Sequence, residues 1–217
     1  MPRGLRIGHA RSIFDTFDDA EDPLGNPWQA RVNTLLTDMY ASGGKAIAKS
    51  VAAGSYDDSA ALLSGFAANV DIVATVFKDA GINTGANHEC ELLLRATQTE
   101  DLSLQYEALF NFSGSIQCFR WEDAGGGAQG FQSLTEDSGP LTMGRAFITG
   151  DRLRAKIIGS TITISCIEAN DAETVLGIFT DSTYADGQPG IGGFFRVGEG
   201  ANQAHFCFQD VRVTQLP

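Results

Sequence analysis

Residues 150–195 constrain the fold more than any other part of the chain, because they alternate with the period of a strand and then stop. In Arg152–Ile158, Leu153, Ala155 and Ile157 fall on one side, and Arg152, Arg154 and Lys156 on the other. A period of two is that of a half-buried strand. Gly159-Ser160 is a two-residue connection, the length that favours a primed hairpin turn. Thr161–Ile167 is rich in β-branched residues, which fit a pleated surface, with Ile162, Ile164 and Cys166 on one face. Residues 168–171 (Glu-Ala-Asn-Asp) read as the next turn, since Asn and Asp tolerate left-handed backbone. Glu173–Thr180 is a third strand. These three form an antiparallel meander. Residues 181–193 hold Gly187, Pro189, Gly190, Gly192 and Gly193, and read as a long corner because breakers replace alternation.

A second meander is expected upstream, at residues 88–96, 102–112 and 115–122. Cys90, Leu92, Leu94 and Ala96 share one side of its first strand, against Glu89, Glu91, Leu93 and Arg95. Tyr106, Ala108 and Phe110 oppose Gln105, Glu107 and Leu109 in the second. Ile116 and Cys118 oppose Gln117, Phe119 and Trp121 in the third. Shorter strands are expected at 13–17, 39–40, 45–49, 60–63, 70–77, 131–134, 147–148, 204–208 and 211–214, with a bulge at Gln209-Asp210. Trp28 is expected to plug one end of the core. The chain thus reads as all-β, in two parts: an arm over residues 1–12 and one sandwich domain over residues 13–217.

Certain residues also carry a resemblance. The run 150–195 is similar to the C-terminal half of laminin-G-like, or concanavalin A-like, lectin-glucanase sandwich domains. Phe17-Asp18, Ala20, Pro23-Leu24-Gly25 and Trp28 resemble the family's opening. Leu92-Leu93-Leu94-Arg95-Ala96 resembles a central strand, and residues 208–213 the closing one. The resemblance implies an antiparallel two-sheet jelly roll. It is specific for fold and poor for function, because lectins, glycanases, lyases and adhesion modules share this scaffold.

Charge narrows the partners. With 27 acidic and 15 basic residues the net charge is −12. Such a surface repels nucleic acid and anionic membrane, so neither is expected. No apolar run approaches the ~20 residues of a membrane span, and the basic start, MPRGLRIGHARSIF, lacks the apolar core of a secretory signal. The four cysteines are widely spaced, each in a strand-like run, and read as buried, reduced thiols. Three disulfide pairings remain formally open.

If the apolar sides of the second meander face the core, then Glu91, Arg95, Gln105, Glu107, Gln117, Phe119 and Trp121 share the outer face of one sheet. Aromatic rings stack on sugar faces and planar polar groups bond hydroxyls, so this set suits a glycan. The competing reading is a face that is solvated through Arg–Glu pairs, or one whose Phe119 and Trp121 are covered. A calcium site of the kind that sandwiches hold between first and last strands would fall on Asp15, Asp18 and Asp210, whose hard oxygens suit that ion. Turn and edge carboxylates are the alternative. No other cofactor is implied.

Catalysis is not expected. The hydrolase signature of the fold, Glu-x-Asp-x-x-Glu, is replaced here by Glu89-Cys90-Glu91-Leu92-Leu93-Leu94, and His9, His88 and His205 sit in unrelated contexts. Single domains of this kind without a signal peptide resemble those on bacteriophage virion proteins. The expectation is therefore a non-catalytic structural or adhesion module on a virion surface, or extracellular after release. It would be oligomeric or particle-bound, with the basic arm docking to other virion or assembly proteins. A free-standing glycan-binding lectin is the alternative, and a polysaccharide hydrolase or lyase the third.

Overall fold

The computed structural model describes residues 11–49, 58–79, 88–135, 141–195 and 203–217. Its strands, in chain order, are β1 (Ser12–Asp15), β2 (Trp28–Ala30), β3 (Thr37–Ala41), β4 (Ala46–Ala48), β5 (Asp58–Leu63), β6 (Val70–Lys78), β7 (His88–Gln98) and β8 (Ser103–Asn111). They continue with β9 (Ser115–Asp123), β10 (Gln129–Ser133), β11 (Leu141–Thr142), β12 (Arg152–Ile158), β13 (Thr161–Ile167), β14 (Glu173–Thr180), β15 (Gln188–Phe195) and β16 (Phe206–Gln215). Sheet I runs β16-β6-β12-β13-β14, with β1 and β4 one after the other along the free edge of β16. Sheet II runs β10-β9-β8-β7-β15-β5, with β2 beyond β5 and β11 against the start of β9. β3 joins the two sheets, antiparallel to β4 and parallel to β5. The architecture is the all-β jelly-roll sandwich expected from the alternation.

Alternation places the core. β6 and β12 bury every second residue: Val70, Ile72, Ala74 and Val76 in one, Leu153, Ala155 and Ile157 in the other. These meet Cys90, Leu92, Leu94, Tyr106, Ala108, Phe110, Ile116 and Cys118 from sheet II in one cluster. Trp28 does plug the core: it lies against Phe17, with ring centroids 6.2 Å apart, and its Nε1 donates to Asp15 Oδ2 at 2.7 Å. All four cysteines are buried free thiols.

Several expectations change. The glycine-rich corner is shorter than expected, because Gln188–Phe195 is a strand in the middle of sheet II, paired to β5 and β7. Glycine serves there for close approach. A Cβ on Gly192 would stand 2.5 Å from Glu91 Oε2 and 2.9 Å from Ser59 O, and one on Gly190 would stand 2.6 Å from Ala61 O. Residues 147–148 form no strand: Phe147 fills the core from a loop, while Ile148 is exposed. The sandwich begins before residue 13. Ser12 already pairs with Thr214, and Arg11 donates to Gly65 O at 2.6 Å while lying over the Phe66 ring. The rest of the expected arm, residues 1–10, lies outside the described residues, as does the loop expected at 82–87. The expected bulge in β16 is present, as a register break between Phe208 and Asp210.

Candidate functional site

The outer face of sheet II is built by register. β8 and β9 set Gln105 opposite Trp121, Glu107 opposite Phe119 and Leu109 opposite Gln117. β7 sets Glu91 opposite Leu109 and Leu93 opposite Glu107. Glu91, Gln105, Glu107, Gln117, Phe119 and Trp121 thus share one face, as their alternation requires.

Arg95 does not join them. Its backbone is left-handed, with φ 52°, and the β7–β8 register breaks between Leu94 and Thr97. This bulge moves Ala96 to the outer face and turns Arg95 away from it. The guanidinium donates to Tyr184 O and Gly159 O, each at 2.6 Å, and to Ala68 O at 3.1 Å. Arg95 ties together three loops at the end of the sandwich and is a structural residue.

The face is also covered. Glu91, Gln105, Glu107 and Trp121 are each no more than 4% exposed. Trp121 donates its Nε1 to Glu107 Oε2 and meets the Phe131 ring edge-on at 4.8 Å. It also packs in a cluster with Leu36, Leu62, Leu93 and Ala96. Leu36 arrives on the connection between β2 and β3, residues 31–36, which lies over this face. Val32 N–H donates to Gln98 Oε1 at 2.9 Å, Thr34 N–H to Glu100 O at 2.8 Å, and Asn33 Nδ2 to Ser103 Oγ at 3.2 Å. Of the two aromatic residues expected on this face, Trp121 is therefore packed away from solvent and Phe119 is half-buried against the same cluster.

Burial governs the electrostatics. It raises the Glu91 carboxyl well above the ordinary range, and the neighbouring Glu107 adds to this. Glu107 is raised for the same reason, with Asp58 next, although the Trp121 hydrogen bond pulls the other way. Both carboxyls thus favour the neutral acid. Glu91 Oε1 and Gln105 Oε1 are buried without a hydrogen-bond partner.

An open cleft of about 450 Å³ lies where this face meets the end of the sheet. Gln29 of β2, Thr97 and Gln98 of β7, and Asp186 and Gln188 at the entry to β15 supply its polar groups. Leu62, Phe66 and Ala96 supply apolar surface. Register pairs the walls: Gln29 with Leu62, and Gln188 with Ala96. Sequence reasoning missed this cleft. Its residues lie at strand ends, far apart in the chain, with no local motif to link them.

The calcium candidates fare differently. Asp15 uses both oxygens inside the fold, accepting from Phe17 N–H at 2.8 Å and from Trp28. Asp18 accepts from Thr16 Oγ1, and Asp210 from Thr75 Oγ1 at 2.9 Å. Asp15 and Asp18 line a second cleft of about 230 Å³, which Asp210 does not reach. Among the described residues no group of three His, Cys, Asp or Glu side chains is placed to hold a metal.

No family model and no curated protein matches the chain. Solved structures do. The exoplasmic/lumenal domain of VIP36 in its Ca2+-bound form is 8% identical, with a TM-score of 0.62 over 96% of this chain and 93% of that one. The CBM2 module of the evolved Dit of Lactobacillus casei BL23 phage J-1 is 11% identical, with a TM-score of 0.53 over 96% and 98%. The kappa-carrageenase of Pseudoalteromonas carrageenovora, in complex with an oligotetrasaccharide of kappa-carrageenan, is 10% identical, with a TM-score of 0.55 over 99% of both chains. At these identities the likeness establishes the fold: a lectin-like sandwich spanning nearly the whole chain.

Proposed function

We propose that this protein is a non-catalytic glycan-binding module that serves adhesion from the surface of a virion. The observation that carries the glycan reading is the open cleft beside the covered face. Planar amides, a hydroxyl and a carboxylate stand there around an apolar floor, a chemistry that suits a ligand rich in hydroxyls. Its volume is that of a small-ligand site.

The non-catalytic part draws support from Glu91 and Glu107. Glycoside hydrolysis needs two accessible carboxyl groups flanking the bond that breaks. Here the two candidates lie under other side chains, one of them bonded to Trp121. The virion part draws support from the full-length fold likeness to a module of a phage Dit protein. The acidic charge of −12 suits a domain facing outward, and the basic arm suits docking to assembly proteins. Calcium is not required in this reading.

The test is affinity electrophoresis of the purified chain in gels containing polysaccharides, together with analysis of the same polysaccharides for cleavage products. Retardation without cleavage is expected. Release of oligosaccharides would overturn the non-catalytic reading, and absence of retardation in every gel would overturn the glycan reading. For the virion reading, mass spectrometry of purified particles should find the protein in stoichiometric amounts. Its recovery only as a free protein would favour a stand-alone lectin.

A further inference from the structure

We infer that the cleft between β2, β7 and β15 takes an uncharged saccharide and discriminates against sulfated or uronate-bearing ones; this rests on the glycan-binding reading. Among the described residues, Asp186 is the only ionisable side chain in the cleft wall. A ligand sulfate or carboxylate is ordinarily held by the fork of an arginine or the point charge of a lysine. Three arginines stand beside the wall, and each is held by bonds within the fold, although Arg31 Nε is buried without a hydrogen-bond partner. Arg11 donates to Gly65 O and lies over Phe66. Arg31 donates to Asn33 O at 2.9 Å and has Asp38 at 3.7 Å. Arg95 spends its guanidinium on the carbonyls of Ala68, Tyr184 and Gly159. Among the described residues of the wall an anionic ligand would therefore meet Asp186 and no cationic side chain, on a chain whose net charge is −12.

The remaining polar groups are neutral and two-sided. Each glutamine amide offers a carbonyl acceptor and an NH₂ donor, the complement of a hydroxyl, which also does both. Gln98 has its orientation fixed by accepting from Val32 N–H, which leaves its Nε2 buried without a partner. A buried donor in that state gains most from a new acceptor, and ring and hydroxyl oxygens are acceptors. Gln188 faces Ala96 across the β15–β7 pair, so its amide and that of Gln98 border the same small-residue gap.

The probes are mannan, dextran and a β-1,3-glucan as neutral polymers, and alginate and carrageenan as anionic ones. The full chain is titrated with each by affinity electrophoresis at two salt concentrations. At least one neutral polymer should bind, with little salt dependence, and the anionic polymers should bind tenfold or more weakly. Gln188→Ala should weaken neutral binding about tenfold with thermal unfolding unchanged, and Gln98→Ala should weaken it at least as much while also losing the bond to Val32 N–H. Asp186→Lys should raise binding of an anionic polymer. Tighter binding of alginate or carrageenan by wild type, relieved by salt, would overturn the inference and leave the glycan reading standing. So would neutral binding untouched by both glutamine variants. Failure of every polymer to bind would remove the glycan reading and this inference together.

Discussion

Glu91 and Glu107 sit diagonally on neighbouring strands, among Leu93, Trp121 and, beside Glu91, Gly192 of the adjacent strand β15. A carboxyl taken out of water prefers to stay protonated, and a second one nearby strengthens that preference. The folded state therefore binds protons that the unfolded chain, with carboxyls near the ordinary value of about 4.3, has already released. Stability from this source is fullest below the unfolded value and is lost as pH rises toward the elevated folded values. Glu91→Gln keeps the shape and removes the titration. It should stabilise the protein at pH 8 by ~1–3 kcal/mol, the scale of a relieved buried polar group. It should also flatten the fall in melting temperature between pH 5 and pH 8. A steeper fall in the variant, or a loss of stability at pH 8, would contradict this account.

At the scale of elements, β15 shows why glycine content misleads. The run QPGIGGFF reads as a breaker cluster, yet it occupies the middle of sheet II because its neighbours leave no room for side chains on one face. Gly192→Ala forces a Cβ against Glu91 Oε2 and the Ser59 carbonyl. The carboxylate can swing, whereas the backbone oxygen cannot. The substitution should cost ~1–3 kcal/mol in denaturant unfolding, as overpacking does, and stability equal to wild type would show that β15 does not pack as described. The meanders, by contrast, were legible from alternation alone: β12, β13 and β14 appear with their expected bounds, and the core faces of β8 and β9 are those expected. Arg95 was not legible. One left-handed residue reverses which of Arg95 and Ala96 faces outward, and no periodic rule anticipates it. The cover over Trp121 was equally hidden. It depends on bonds from 32–34 to Gln98, Glu100 and Ser103, roughly seventy positions away in the chain.

At the scale of the molecule, two sheets enclose one large apolar cluster, and the four thiols belong to it or to its edge. Burial raises all of them above the ordinary thiol range, Cys166 and Cys207 to about 12. Thiolate is the reactive form. The native protein should therefore leave a thiol reagent untouched at pH 8 over minutes and react fully once denatured, and a reductant should not change its melting temperature. Fast labelling of the native protein would mean that the core opens. The same enclosure explains where a ligand can go. Glu91, Gln105, Glu107 and Trp121 of the outer face are shut off, and the cleft at its rim is an accessible polar surface beside them. Binding by the purified chain, wild type against Gln188→Ala, in gels containing a neutral polysaccharide tests this most directly. The account predicts retardation of the wild type and about tenfold weaker retardation of the variant with its fold intact. Equal retardation of the two, or none for the wild type in any polysaccharide, would contradict it.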